Sequence, residues 1–382
     1  MFKFKRGRKE RTSKVLDGLD APALARYITS GKCKNITLML GAGVSTSAGI
    51  PDFRSPETGL YANLARLNLP YPEAVFEINF FRRNPTPFYT LAQELYPGKF
   101  RPTITHSFIK LLANKSLLHT CFTQNIDTLE RRAGIPAQKI IEAHGSFAKQ
   151  RCIRCKIEFD DDSMKEHVLL GKVPKCETCG GYVKPDIVFF GEDLPPEFIN
   201  AIPRLADSDL LIVLGTSLTV RPFASLAGMV EKDCPRVLIN LERVGDFGSR
   251  SNDVILLGKC DEVVRDLAKA LGWEEELERA WEETAQSVQS DPAKVLKPGQ
   301  EQIDVDRLAN EIGKTLNIDE TVVDESKPQD SDEKDKQAGR KNSEEGVTLE
   351  LPANPPTNET TDTSKANDSI ANTVASSTVL TS

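Results

Sequence analysis

Four apolar runs end abruptly in glycine or polar residues, and this pattern restricts the fold more than any other feature. Ile36–Leu40 runs into Gly41-Ala42-Gly43, and Leu118–Thr123 into Gln124-Asn125-Ile126-Asp127. Asp209–Leu214 runs into Gly215-Thr216-Ser217, and Arg236–Asn240 into Leu241-Glu242. Val254–Leu257 is a fifth run of the same kind. Their near-continuous apolar character, without alternation, is that of strands covered on both faces. Helical patterns such as Thr105–Lys115 and Cys260–Leu271 lie between them. Strands alternating with helices predict an α/β fold around a parallel sheet. In such sheets ligands bind beyond the carboxyl ends of the strands, so these four ends predict a nucleotide crevice.

Composition bounds the rest. The 382 residues suffice for one large domain or two ordinary ones. Every Phe, Tyr, Trp, Cys, His and Met lies at or before Trp281. The remainder is polar and Pro-rich and cannot offset an ordering entropy of about 1–2 kcal/mol per residue, so a disordered tail is expected. Within it Ile303, Val305, Leu308, Ile312 and Leu316 fall near helical spacing. The net charge of −7 disfavours bulk nucleic-acid binding. No apolar run has transmembrane length, and the basic start MFKFKRGRKER lacks the apolar core of a secretory signal. Eight cysteines in such a chain predict reduced thiols or metal ligands inside the cell.

The cysteine spacing is specific. Cys152-x-x-Cys155 is followed, after 20 residues, by Cys176-x-x-Cys179. Two such knuckles suit a tetrahedral zinc site in which four thiolates leave no position open, so the metal is expected to be structural. A DNA-reading finger is the other reading, but the mixed-charge segment between the knuckles has no recognition-helix pattern. Cys33, Cys121, Cys234 and Cys260 read as core or loop residues rather than metal ligands.

The loop GAGVSTSAGIPDFR, residues 41–54, departs from the hydride-transfer dinucleotide fingerprint. Thr46 stands where the third glycine belongs, and no acidic residue follows about twenty positions later to hold a ribose. Gly41 and Gly43 still allow close backbone approach to a pyrophosphate, with a helix N-terminus expected to help and Ser45 and Thr46 as hydroxyl donors.

Taken together with TQNIDTLERRAG, EAHGS, KPDIVFFGE, LGTSL and LINLE, that loop and the cysteine knuckles occur in the order seen in sirtuins. The resemblance covers about residues 25–270 and is strongest to the cytoplasmic-type eukaryotic sirtuins of class I. It implies a Rossmann-like sheet domain (27–52, 102–147 and 185–270), a helical insertion (53–101) and a zinc module (148–184). Together these make a catalytic domain over 27–285, between a basic arm (1–26) and a tail (286–382). It implies an NAD-dependent protein-lysine deacetylase that moves the acetyl group to ADP-ribose and releases nicotinamide. ADP-ribosyl transfer to protein, long-chain deacylation and a catalytically dead binding module are the alternatives.

Residue roles follow from the same resemblance. His144 would be the general base acting on a ribose hydroxyl, its ordinary pKa near 6.5 suiting it to accept a proton. The other histidines, His106, His119 and His167, read as structural. Asn125 would orient the ribose and a water, while Gln124 contacts the same ribose. Ile126 and Asp127 would hold the nicotinamide carboxamide, though Asp127 also reads as a helix cap. Ala42, Gly43, Val44, Ser45, Thr46, Gly215, Thr216, Ser217, Asn240, Leu241, Glu242 and Cys260 complete the cofactor set. Asp52, Phe53 and Arg54 would form a loop over the cofactor, with an Arg54 surface ion pair as the plainer reading.

Phe76, Val188 and Phe189 would line the acyl tunnel. A Tyr-x-x-Arg pair for acidic acyl groups is missing after Arg54. The peptide would pair as a strand beside Gly191–Asp193 and the segment after Ser217. The partners implied are acetylated proteins, histones among them, and neither a membrane nor a specific nucleic-acid sequence. Leu308, Ile312, Leu316 and Ile318 match the spacing of a nuclear-export segment, which implies an export receptor and a cytoplasmic protein that visits the nucleus. The same residues suit a helix docking on the enzyme's own cleft, or a transient helix without a partner.

Overall fold

The computed structural model describes residues 14–52, 59, 60, 64, 67 and 69–287. Its strands are β1 (Ile36–Leu40), β2 (Leu118–Thr123), β3 (Ile140–Glu142), β4 (Gly145–Cys152), β5 (Val183–Ile187), β6 (Leu210–Leu214), β7 (Arg236–Asn240) and β8 (Asp253–Leu257). The α-helices are α1 (Ala21–Thr29), α2 (Ile78–Arg83), α3 (Thr86–Leu95), α4 (Ile104–Asn114) and α5 (Leu129–Arg132). They continue with α6 (Asp161–Leu169), α7 (Pro196–Ala201), α8 (Cys260–Leu271) and α9 (Glu274–Glu283).

Six strands form one parallel sheet in the order β3-β2-β1-β6-β7-β8. Counted within the sheet, this is the Rossmann order, and it reverses between β1 and β6. The five runs read from sequence are β1, β2, β6, β7 and β8. The sixth strand, β3, escapes that reading because it has three residues, and it sits at the edge beside Cys121–Thr123.

Burial on both faces, with alternate residues facing opposite cores, explains why the central strands are mostly apolar. Leu38, Leu40, Leu210, Ile212, Leu214, Val237 and Ile239 face a core shared with α1, α4, α8 and α9. Met39, Leu211, Val213 and Leu238 face the opposite core, with Phe198, Phe223 and Phe247. Each such side chain, fully buried, contributes about 1.5–3 kcal/mol of transfer free energy. Helix α8 presents Val264, Leu267, Ala268 and Leu271 to the sheet and ends at Gly272, whose φ of 72° closes the C-terminus. Leu16 and α1 pack into the first core as well, although the sequence reading leaves residues 1–26 as an arm.

The two insertions share a third core. Phe76, Phe81, Phe88 and Tyr89 from the helical segment pack with Met164, Val168, Val183 and Phe189 around the cysteine knuckles. The antiparallel pair β4–β5 is the spine of this small lobe. Among the described residues, no helix is long and apolar enough to cross a membrane. Phe53, Arg54 and the segment 303–318 lie outside the described residues.

Candidate active site

The carboxyl ends of β1, β2 and β6 are tied to one another before any ligand is considered. Gly41 donates its backbone N–H to Leu214 (3.1 Å), Gly43 to Gly215 (2.8 Å) and Gln124 to Leu40 (3.1 Å). A Cβ on Gly41 would lie 2.6 Å from the Thr216 Cβ, and one on Gly43 would lie 2.8 Å from the Gly215 Cα. The two glycines are therefore required by the neighbouring turn, whatever they also allow a ligand. Gly215 answers in kind, at φ 58° and against Val44 and Gly43.

The expected helix after this loop is instead two single 3₁₀ turns, Ala42–Val44 and Thr46–Ala48. Gly49, at φ 95°, ends the second, and Pro51 prevents continuation. Such short turns carry little of the dipole that the sequence reading assigned to pyrophosphate binding. The hydroxyls are also engaged internally. Ser45, buried, donates to Asp127 Oδ2 (2.7 Å), and exposed Thr46 donates to the Gly43 carbonyl (3.2 Å).

Asn125 donates its side-chain amide to the Gly41 carbonyl (3.2 Å) and to Ser45 Oγ (3.3 Å). Gln124 donates to Thr216 Oγ1 (2.9 Å). Asp127 Oδ1 accepts the Leu129 N–H (2.9 Å), so Asp127 also caps the first turn of α5. Ala42, Ser45, Ile50, Pro51, Leu60, Leu95, Asn125, Ile126 and Asp127 line a pocket at this edge. Its apolar wall with an amide and a carboxylate on one side is a donor set that fits a flat carboxamide-bearing ring. Asp52, next in sequence to the lining residue Pro51, accepts the Leu60 N–H through its carbonyl (2.6 Å).

His144 lies between β3 and β4. Its Nδ1 is 3.1 Å from the Gln124 carbonyl oxygen, which can only accept, so Nδ1 carries the hydrogen. Nε2 is then the basic nitrogen. Burial lowers the pKa of the imidazole below 6.5, partly offset by the Gln124 bond. Phe223 lies 6.4 Å from the ring. Gly145, at φ 65°, permits the tight entry into β4.

The His144 carbonyl accepts the Val188 N–H (2.8 Å), which fixes the start of the Val188-Phe189-Phe190 segment. Phe190 exchanges backbone bonds with Phe76 (2.7 Å) and Ile78 (3.1 Å). Val188 is half-buried, but Phe189 is only 1 % exposed. Its ring packs edge-on against Phe76 at 5.9 Å and against Phe81 at 5.5 Å, so it backs the wall rather than facing an open tunnel.

Sequence reasoning missed the brace behind this segment. Lys184, buried, pairs with Glu192 (2.9 Å) and lies 4.4 Å from the Phe189 ring centre. Glu192 also accepts the Phe189 N–H (2.9 Å). Both residues stand within the KPDIVFFGE stretch, and two opposite charges flanking an apolar run were the available signal.

At the far end, Asn240 turns its amide onto the Glu242 carbonyl (2.9 Å), and Leu241 is 72 % exposed. Ser217 shares a hydroxyl bond with Thr219 (2.9 Å). Cys260 opens α8 with its thiol buried and its pKa pushed up to about 12, which makes it a neutral wall residue rather than a nucleophile.

The four knuckle sulfurs lie within 4.8 Å of one another. The Cys152–Cys179 and Cys155–Cys176 sulfurs are 3.4 and 3.6 Å apart, too far for disulfides. Zn–S bonds of about 2.3 Å in a tetrahedron require edges of about 3.8 Å, so the cluster fits zinc. A Cβ on Gly181 would lie 3.0 Å from Cys152 Sγ, so glycine there keeps the sulfurs clear.

Comparisons with known proteins agree with this geometry. The family model described as the Sir2 family matches residues 41–222. The NAD-dependent protein deacetylase hst2-1 of Emericella nidulans is 55 % identical over 309 residues, covering 81 % of this chain and 85 % of that protein. The NAD-dependent protein deacetylase sirtuin-2 of Danio rerio is 53 % identical, covering 69 % of this chain and 75 % of its own length. The NAD-dependent protein deacetylase sirtuin-3 of Mus musculus is 50 % identical, with 66 % and 77 % covered. With relatives this similar over so much of both chains, and a sheet, crevice and cysteine cluster that fit them, the chain belongs to the Sir2, or sirtuin, family.

Proposed function

We propose that this NAD-dependent protein deacetylase uses His144 as its general base. The supporting observation is the Nδ1–H bond to the Gln124 carbonyl, which leaves Nε2 as the acceptor on a ring that burial keeps neutral. NAD, when bound, supplies an electrophilic ribose carbon and the ADP-ribose that finally carries the acetyl group. Ala42, Ser45, Asn125, Ile126 and Asp127 hold its nicotinamide end. Gln124 and Asn125 orient the ribose, with Gly43, Val44, Thr46, Gly215, Thr216 and Ser217 around the phosphates. Asn240, Leu241, Glu242 and Cys260 border the adenosine, and Phe53 and Arg54 contribute to shielding the cofactor. The charge-neutral acetyl-lysine lies against Val188 and Phe76, with Phe189 behind, while its peptide backbone pairs alongside Gly191–Asp193.

The four cysteines hold one zinc, which contributes folding free energy. Substrates are acetylated proteins, histones among them, and the enzyme is mainly cytoplasmic with access to the nucleus through the 308–318 export segment. The test is to incubate the protein with an acetylated peptide and NAD and weigh the products. Acetyl-ADP-ribose with free nicotinamide is expected. ADP-ribose attached to protein would establish the transferase alternative instead.

A further inference from the structure

Behind Asp127, three ionisable side chains converge without solvent. His106 comes from α4 and Glu130 from α5, and their ligand atoms and that of Asp127 lie within 4.8 Å of one another. His106 is 0 % exposed, Glu130 1 % and Asp127 9 %. Burying such groups is costly unless they partner one another.

The hydrogen inventory defines the arrangement. His106 Nδ1 meets the backbone N–H of Thr103 (3.2 Å) and Thr103 Oγ1 (2.8 Å), so Thr103 holds that edge of the ring. Burial keeps that ring neutral. Among the described residues, Nε2 has no hydrogen-bond partner, nor has Glu130 Oε1. Both residues belong to the same buried cluster, in which the ligand atoms converge within 4.8 Å. The Thr123 hydroxyl also bonds the Glu130 carboxyl, and Thr123 Oγ1 accepts the Asn125 N–H (3.0 Å). Glu130 thus reaches Asn125 through Thr123 and lies in the same buried cluster as Asp127.

We propose that Glu130, backed by His106, is a positioning residue that holds Asp127 and, through Thr123, Asn125 in their pocket-facing orientations. The proposal rests on the reading of that pocket as the nicotinamide subsite. Burial and the nearby Asp127 raise the Glu130 pKa to about 8. At neutral pH Glu130 is therefore an uncharged acid beside Asp127. Raising the pH ionises Glu130 and sets a second carboxylate beside the first. Glu142, which Arg131 holds bidentately, adds charge of the same sign. Arg132 faces Asp127 from α5, Asp261 faces His106 from α8, and the Cys121 thiol on β2 is held neutral by burial.

The test measures nicotinamide binding by titration calorimetry from pH 6.5 to 9.5, with peptide KM alongside. If binding needs protonated Glu130, wild-type affinity falls about thirtyfold between pH 7 and 9.5. Glu130→Gln keeps the pH 7 affinity within about threefold and loses this alkaline fall, because an amide does not ionise. Glu130→Ala weakens binding at pH 7 at least about tenfold and leaves peptide KM unchanged. An alkaline fall identical in Glu130→Gln and wild type overturns the proposal, as does wild-type binding by a folded Glu130→Ala. If the alanine variant does not fold, the glutamine variant decides. A folded wild-type enzyme that binds no nicotinamide at any pH overturns the subsite reading and this proposal with it.

Discussion

Replacing Gly145 with alanine tests whether the position of His144 limits the rate. A Cβ at residue 145 would lie 1.8 Å from the Asp186 carbonyl oxygen, whereas real Cβ contacts stay beyond 3.0 Å. The two chains must separate by the difference, 3.0 − 1.8, or about 1.2 Å. Gly145 pairs with Ile187, and the adjoining bond from Val188 N–H to the His144 carbonyl is 2.8 Å long, so the imidazole moves with the separation. A displacement of about 1 Å costs on the order of a hundredfold in rate. The left-handed backbone, at φ 65°, adds about 1–2 kcal/mol of strain.

Gly31→Ala is the control. Gly31 has φ 77°, and a methyl group there would meet nothing within 4 Å, so it carries the backbone strain without the collision. Both variants should melt a few degrees lower, at about 2–4 °C per kcal/mol for a domain of this size. Only Gly145→Ala should lose about a hundredfold in deacetylation of an acetylated peptide at saturating NAD. A Gly145→Ala enzyme within about threefold of wild type would refute the link between His144 placement and rate.

Other outcomes follow from single residues. His144→Ala should lower turnover at least about a hundredfold while NAD binding by calorimetry persists, and retained turnover removes His144 from the chemistry. Because burial holds His144 below its ordinary 6.5 and only the neutral ring accepts a proton, wild-type rate should fall on acidification with a midpoint below pH 6.5; a midpoint above it contradicts the assignment. Metal analysis should find one zinc per chain, and Cys152→Ser or Cys176→Ser should lower stability and activity together; active protein without zinc rules the site out. Leu308→Ala with Leu316→Ala should raise the nuclear fraction at unchanged deacetylation rate, as imaging and peptide assays will measure. A faster rate at unchanged location would mark an inhibitory segment instead.

What the sequence made legible was what local pattern controls. β1, β6 and β7 were readable because both faces of each strand are buried, which leaves mostly apolar positions. The zinc knuckles were readable because ligand spacing is itself local. β3 was hidden because three residues carry no periodicity, and its identity depends on the neighbouring Cys121–Thr123. Arg236 opens β7 fully buried between Asp253 (2.8 Å) and Asp246 (2.9 Å), and nothing local in RVLIN announces those partners. Glu130 lies inside a recognisable motif, but its significance needs His106, which another helix supplies. The loop glycines were found for an incomplete reason, since the turn at Gly215 that demands them comes far later in the chain.

The connections around His144 explain how the two halves of the site act together. On one side its ring is held by the Gln124 carbonyl, in a strand-end loop that Gln124 itself ties to Thr216. On the other its carbonyl is held by Val188, at the head of the segment that Lys184 and Glu192 brace. His144 is therefore fastened to the parallel sheet through its ring and to the small lobe through its backbone. Each bond fixes a different property. Loss of the ring bond frees the tautomer, while loss of the backbone bond frees the Val188-Phe189-Phe190 segment. A defect in the Lys184–Glu192 brace should accordingly raise peptide KM before it alters the acidic limb of the rate, because it slackens only the second bond.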